Sequence, residues 1–144
     1  MRRVIAVSDD LLGREVDLGE VTVTSEMIAT YARAVGDAAW LAHPIDEAPP
    51  TFCLTMRRGM TPEIALPPGY FGVYGGHDLE FHRPIRAGRT YRVSARIIEV
   101  FEKSGRSGAL TVVVREGLVH DRSGELAVRV IEQEIIRRRP ESAA

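Results

Sequence analysis

Hydrophobic and polar positions first become regular in residues 24–36. Apolar side chains recur there at helical spacing, with polar ones between them. Thr24 or Ser25 can cap the first turn, Glu26 suits that turn, and Gly36 marks the end. We therefore predict a short amphipathic helix whose apolar positions are Met27, Ile28, Tyr31, Ala32 and Val35.

A second helix is predicted from Ala48 to Met60. Pro49 and Pro50 suit the start of a helix, and the residues that follow are apolar on more than one face. A helix of this kind has to be enclosed by the rest of the domain. Further prolines and a glycine at 62 and 67–69 then indicate a loop.

Strand-forming residues dominate the chain after this loop. We predict strands near residues 74–83, 90–102, 109–120 and 125–138, separated by glycines and by an Asp-Arg-Ser-Gly turn. These lengths and turns favour an antiparallel meander.

Two of these strands change the phase of their apolar positions. In the first, alternation at Tyr91, Val93, Ala95 and Ile97 passes to Ile98 and Val100; in the second, Leu126, Val128 and Val130 give way to Ile131 and Ile135. Because a β-bulge produces such a change, we predict a strongly curved sheet.

Composition limits the classes of function. The chain has 144 residues, 44% of them hydrophobic, which suits one domain with a single core. Its 19 basic and 20 acidic residues nearly cancel, so we expect neither nucleic acid nor an anionic membrane as a partner. The arginines at 137–139 are expected to be a solvated strand end.

Cysteine usage and the N-terminus indicate the compartment. Cys53 is the only cysteine, so an intramolecular disulfide is impossible, and a reducing environment is the natural inference. We expect Cys53 itself to be a buried small hydrophobe. The apolar stretch at the N-terminus is too short for a signal peptide, and we expect a cytoplasmic protein.

Four segments, in the right order, resemble MaoC-like dehydratases and hydratases, and among them the N-terminal-type domain of fungal-type and mycobacterial 3-hydroxyacyl dehydratases. They are Tyr31–Asp37, Ala48–Phe52, Glu80–Gly88 and Gly124–Ala127. The resemblance implies an α+β hot-dog fold, in which a curved antiparallel sheet wraps around a central apolar helix. We expect this single domain to span residues 1–139, with a disordered tail at 140–144.

The same resemblance implies chemistry on acyl thioesters carried by coenzyme A or an acyl carrier protein. Active members hydrate or dehydrate the acyl chain with a motif of Asp, any residue, Asn, Pro, any residue, His, in which the imidazole moves a proton. Here Asp37 begins the motif, but Ala39, Trp40 and Ala42 stand at the Asn, Pro and His positions. His43 comes one residue late.

Asp37 and His43 are the candidate catalytic residues, each with a plainer alternative. His43 could still present its ring to a substrate, or it could be an ordinary surface or interface histidine. Asp37 follows Gly36 at a helix end, where a turn residue is equally expected.

Six residues are candidates for binding the acyl thioester. The corner at Pro50, Thr51 and Phe52 could aim backbone N–H groups at a carbonyl or phosphate, although prolines at a helix start need no ligand. Trp40 and Tyr74 could line an acyl pocket or fill a core or dimer contact. His77 completes the set; neighbouring Asp78 should point to the opposite face of its strand.

Neither a metal nor a cofactor is expected. The four histidines have spacings that match no zinc motif, and the glycines between 72 and 76 lack the strand-then-helix context of a dinucleotide loop.

The leading hypothesis is a subunit without its own dyad that binds an acyl thioester and completes a hydratase or dehydratase. Family domains that lack the dyad pair with a second hot-dog domain that has it, so a homodimer or a heterodimer with another hot-dog subunit is expected. The alternatives are a self-sufficient homodimeric dehydratase that uses Asp37 with His43 or uses His77, a hot-dog thioesterase, and a binding module without chemistry.

Overall fold

The computed structural model of the chain describes residue 5 and residues 7–57, 59–106 and 108–141. Helices and strands follow one another in the order β1 (Val16–Thr22), α1 (Ser25–Val35), α2 (Ala38–Ala42), the 3-10 helix η1 (Pro50–Met56), β2 (Tyr70–Phe81), β3 (Thr90–Gly105), β4 (Gly108–Asp121) and β5 (Leu126–Arg138).

The strands form one five-stranded antiparallel sheet in the order β1-β3-β4-β5-β2. The meander of β3, β4 and β5 confirms the prediction for these three strands. The first predicted strand, β2, pairs with β5 at one edge and not with β3, so its predicted place in the meander was wrong. The opposite edge, β1, was not predicted. Its alternation is broken by a bulge at Leu18, where Gly19 adopts a left-handed φ of 89°.

Helix α1 confirms the first predicted helix. The Thr24 side chain accepts a hydrogen bond from the Met27 N–H at 3.1 Å, and Gly36 ends the helix in the left-handed conformation. Ile28 and Ala32 are fully buried and face the core, whereas the predicted apolar positions Met27 and Val35 are 38% and 55% exposed.

The second predicted helix is shorter and tighter than expected. It is the seven-residue 3-10 helix η1, with Pro49 at its N-cap, and it ends at Arg57, whose backbone is extended. Side chains compete for the carbonyls inside it, since the Thr55 hydroxyl donates to the Phe52 carbonyl oxygen at 2.7 Å. The prediction of a helix to residue 60 was therefore wrong, because Arg57 turns towards the sheet.

Only one of the two predicted phase changes is present. In β3 the register shifts between Ile97 and Glu99, which confirms the predicted bulge. The phase change predicted in β5 was wrong, because β5 keeps one inward phase from Val128 to Ile136. The sequence hid this phase because Glu132 and Glu134 occupy two of the inward positions.

The inner face of the sheet, on which η1 packs, has two apolar clusters. The first joins Phe52, Cys53 and Met56 of η1 to buried valines of β3, β4 and β5. The second lies further along the same face and includes Ile97, Val113 and Ile136. Between the clusters lie the inward residues Arg115 and Glu132, which face one another in register. The core is thus divided by a charged layer.

Only Pro140 and Glu141 of the predicted tail belong to the described residues. Glu141 lies 3.8 Å from Arg138, whereas residues 142–144 of the predicted tail are outside the described residues. None of the helices in the described part of the chain has the length and hydrophobicity needed to span a bilayer.

Candidate functional site

The segment where the family motif would lie forms the short helix α2. Asp37 caps its start, because Oδ1 accepts a hydrogen bond from the Trp40 N–H at 3.0 Å. His43 caps its end, where the His43 N–H donates to the Ala39 carbonyl oxygen at 3.1 Å. At 1.5 Å per residue the two caps are about 9 Å apart along the axis. The helix therefore keeps the two candidate catalytic residues apart.

Four of the candidate binding residues lie near the start of η1, which begins at Pro50. The Thr51 hydroxyl is in hydrogen-bonding contact with the hydroxyl of Tyr31 on α1. The Tyr31 ring packs edge-on against Phe52, with ring centroids 5.6 Å apart. Trp40 packs against the same apolar cluster and donates from Nε1 to the Glu47 carbonyl oxygen at 3.1 Å.

Two surface grooves flank this corner. The first, the proline groove, has a volume of about 290 Å³ and is lined by Pro49, Pro50, Phe81, His82 and Arg83 among others. Its Phe81 is 42% exposed although it lies on the inner face. The second groove, about 580 Å³, runs between α1 and η1, where Met27, Tyr31, Phe52 and Thr55 contribute to its walls. Both offer apolar surface to a ligand.

Tyr74 and His77 form a separate pair on the edge strand β2. The Tyr74 hydroxyl is hydrogen-bonded to Nδ1 of His77, and the ring centroids are 5.7 Å apart. Residues three apart in a strand normally face opposite sides, but the register shift between Tyr74 and Gly76 turns both side chains inwards. Gly76 has a φ of 128°, a conformation that favours glycine.

This pair lies near the end of η1 rather than at its start. His77 is in register with Glu132, and Asp78 with Ile131 on the other face, as the alternation predicts. Partial burial raises the pKa of Tyr74 above its usual value, and the nearby Arg57 guanidinium opposes that rise. The six candidate binding residues thus fall into two groups along the inner face.

The charged layer was missed by sequence reasoning. Arg57 forms an ion pair with Glu132, and the two side chains are 11% and 2% exposed. Arg115 lies 3.0 Å from Glu134 and donates from Nε to the Pro62 carbonyl oxygen at 2.9 Å. Burial lowers the pKa of Arg57, as expected for a charge removed from water. The alternation of β5, continued through Glu132 and Glu134, was the signal that could have revealed the layer.

The remaining reactive groups are in ordinary surroundings. Cys53 is fully buried, as predicted, and burial raises the pKa of its thiol to about 11. His82 Nε2 lies 2.7 Å from Glu80 Oε1 at the surface. Within the described residues, no group of three or more His, Cys, Asp or Glu side chains is placed to hold a metal ion.

Comparison with known proteins identifies the relatives of this chain. The family model for the FAS1-like dehydratase domain region matches residues 10–130. A UPF0336 protein of Streptomyces griseus subsp. griseus is 30% identical over 131 residues, which cover 80% of this chain and 84% of that protein.

Two solved structures have a similar fold. One is the HadBC (3R-hydroxyacyl-ACP dehydratase) complex of Mycobacterium tuberculosis, with a TM-score of 0.62, 23% identity, and coverage of 90% of this chain and 99% of that chain. The other is a MaoC-like dehydratase of Rhodospirillum rubrum, with a TM-score of 0.59, 18% identity, and coverage of 90% and 94%. The chain therefore has the predicted α+β hot-dog fold and belongs to the FAS1-like dehydratase domain region family.

Proposed function

We propose that this chain is a hot-dog subunit that binds an acyl thioester and completes a hydratase or dehydratase with a second subunit that carries the catalytic dyad. The observation that carries the proposal is the folding of the motif segment as helix α2, with Asp37 and His43 at opposite ends. Adding or removing water needs an acid–base pair within hydrogen-bond reach of one water molecule. A carboxylate engaged in capping is poorly placed for that task.

The edge strand β2 supports the proposal that a second subunit binds to this chain. It is 12 residues long, lies at the edge of the sheet, and carries Val73, Tyr74 and Phe81, each between 41% and 48% exposed. A long edge with exposed apolar side chains favours association. The similar mycobacterial structure is itself a complex named HadBC. We infer that another hot-dog subunit covers β2.

The proline groove supports thioester binding. Pro50 and Phe81 give it apolar walls, and its position beside η1 lets a partner that covers β2 close it from the other side. In this proposal Pro50, Thr51 and Phe52 shape the acyl channel. Trp40 fixes the segment that precedes η1 through its hydrogen bond to the Glu47 carbonyl oxygen. Tyr74 and His77 lie further along β2, near the end of η1.

Binding and turnover of the purified chain test this proposal. In calorimetry the chain should bind a short and a long trans-2-enoyl-CoA saturably. During incubation with the same compounds, the absorbance of the conjugated thioester should stay constant. Hydrated product, identified by mass, would contradict the partner role. Absence of binding to either compound would contradict thioester recognition.

The Tyr74–His77 contact favours one second candidate, a self-sufficient dehydratase. Tyr74 fixes Nδ1 of His77, and a hydrogen bond at one ring nitrogen orients the other for proton transfer. If the purified chain does hydrate enoyl-CoA, His77→Ala should abolish the rate and His43→Ala should leave it unchanged. The reverse result would assign the reaction to His43.

A further inference from the structure

A depression of about 400 Å³ lies where the β4–β5 turn meets the residues that precede β3. Three arginines contribute to its walls, Arg83, Arg89 and Arg122, together with Asp121 and Ser123 of the turn. Arg83 also lines the proline groove. The two concavities therefore adjoin, one with apolar walls at Pro50 and Phe81 and the other with guanidinium groups.

The charges in this depression are only partly neutralised. Arg83 is paired with Glu125 and lies 3.9 Å from Asp121. The Asp121 carboxylate is engaged within its own turn, where Oδ1 accepts from the Ser123 N–H at 2.9 Å, the Ser123 hydroxyl at 2.6 Å and the Glu125 N–H at 3.0 Å. Neither Arg89 nor Arg122 forms an ion pair with any carboxylate of the described residues. Two guanidinium groups thus stay available to an anion.

The backbone holds these arginines in place. The Arg89 carbonyl oxygen accepts from the Val23 N–H at 2.9 Å, and the Gly88 N–H donates to the Val23 carbonyl oxygen at 2.7 Å. Arg122 lies in a turn that Asp121 closes by accepting the Gly124 N–H at its carbonyl at 3.0 Å. A guanidinium fork on a fixed backbone suits phosphate oxygens, which it can bind with two parallel hydrogen bonds.

We propose that this depression binds the phosphate-bearing nucleotide end of coenzyme A, with the pantetheine arm passing Arg83 into the proline groove. The inference rests on the proposed function and names the thioester carrier, because an amphiphilic ligand with an anionic head and an apolar arm matches the two adjoining concavities. Phosphate groups would meet Arg89 and Arg122, and the acyl end would lie beside Pro50.

The shape and charge of this region favour a nucleotide over a carrier protein. The free guanidinium groups line a concavity, whereas docking of an acidic protein needs a broad basic face. Arg86, which could widen the basic surface, is held by Asp46 at 3.1 Å. The whole chain has a net charge of −1, so it has no general attraction for an acidic protein.

The test uses the full chain and a saturated thioester, which it cannot hydrate. Octanoyl-CoA, octanoyl-pantetheine and an octanoyl carrier protein are titrated by calorimetry into the unaltered chain and into the double variant Arg89→Gln, Arg122→Gln. Arg106→Gln, in the β3–β4 turn at the opposite end of the sheet, is the matched control. All three arginines are exposed, and circular dichroism melting verifies that the variants are folded.

We expect the unaltered chain to bind octanoyl-CoA about a hundredfold more tightly than octanoyl-pantetheine, because each of the two arginines contributes about tenfold. The double variant should lose about tenfold per arginine for octanoyl-CoA, which corresponds to about 1.4 kcal/mol each, and nothing for octanoyl-pantetheine. The affinity for octanoyl-CoA should also fall with added salt. The control Arg106→Gln should leave the affinity for both ligands unchanged.

Equal affinity for the two thioesters, unchanged by the double variant, would overturn the nucleotide site and leave the proposed function standing. A double variant that weakens binding of an octanoyl carrier protein but not of octanoyl-CoA would overturn it in favour of a carrier-protein surface. Failure of every thioester to bind would instead contradict the proposed function itself.

Discussion

Replacing Glu132 with glutamine would leave the Arg57 guanidinium inside the protein without its carboxylate. The Arg57 and Glu132 side chains are 11% and 2% exposed, so water cannot take over the lost interaction. Glutamine has nearly the volume of glutamate, and the change therefore isolates charge from packing. Removal of one partner of a buried ion pair typically costs about 3–5 kcal/mol, a large part of the roughly 5–15 kcal/mol that stabilises a domain.

Urea denaturation followed by circular dichroism measures this cost. With a slope of about 2 kcal/mol per molar urea, a loss of about 3 kcal/mol lowers the midpoint by about 1.5 M. Glu20→Gln is the matched control, because Glu20 lies 3.5 Å from Arg92 but both side chains are more than half exposed. An exposed pair of this kind contributes about 1 kcal/mol or less.

The double variant Arg57→Met, Glu132→Met separates the ion pair from the shape of the site. Because both charges are then absent, the free energy of unfolding should return close to that of the unaltered chain. A Glu132→Gln cost as small as that of the control would refute the argument that a charged layer divides the core. So would a double variant whose loss equals the sum of the losses measured for Arg57→Met and Glu132→Met separately.

Three further results are expected. Gly72→Ala should destabilise the fold, because the new Cβ would come within 3.0 Å of Glu134 Cδ and displace that carboxylate; a stability equal to the unaltered chain would show that Glu134 moves freely. With a thiol pKa of about 11, about one Cys53 side chain in a thousand is ionised at pH 8, so an alkylating reagent should label the chain rapidly in urea and very slowly without it. Rapid labelling of the folded chain would contradict the burial of this thiol. Asp37→Ala should cost about 1 kcal/mol through the lost cap, while Asp37→Asn, which keeps an accepting oxygen, should cost much less. If Asp37→Asn instead abolished turnover of the assembled enzyme at unchanged stability, Asp37 would be a catalytic residue.

Local patterns predicted α1 and the meander because their signals are contained within each segment. Helical spacing with Thr24 and Gly36 at the ends specifies α1, and turn residues separate β3, β4 and β5. The bulge at Ile98 was also readable, since the apolar residues on both sides of it mark the change of face.

Features that depend on residues distant in sequence could not be predicted from local patterns. Glu132 and Glu134 look like outward residues until Arg57 and Arg115 are placed opposite them, so the phase of β5 was misjudged. The early end of η1 has the same cause, because Arg57 reaches a carboxylate on β5.

The candidate site was identified from residue type but not from arrangement. Tyr74 and His77 were each singled out from the sequence, yet their contact depends on a bulge at Gly75 that the alternation did not reveal. The separation of Asp37 from His43 depends on the formation of α2, which the short segment between them did not predict.

Reconstitution with a catalytic partner tests whether this chain completes a hydratase or dehydratase. The initial rate of enoyl-CoA hydration would be measured for this chain alone, for a dyad-bearing MaoC-like subunit from the same genome alone, and for the two produced together. We expect no rate for this chain, and a rate for the co-produced complex well above that of the partner alone. A measurable rate for this chain alone, or a complex no faster than the partner alone, would contradict the proposal.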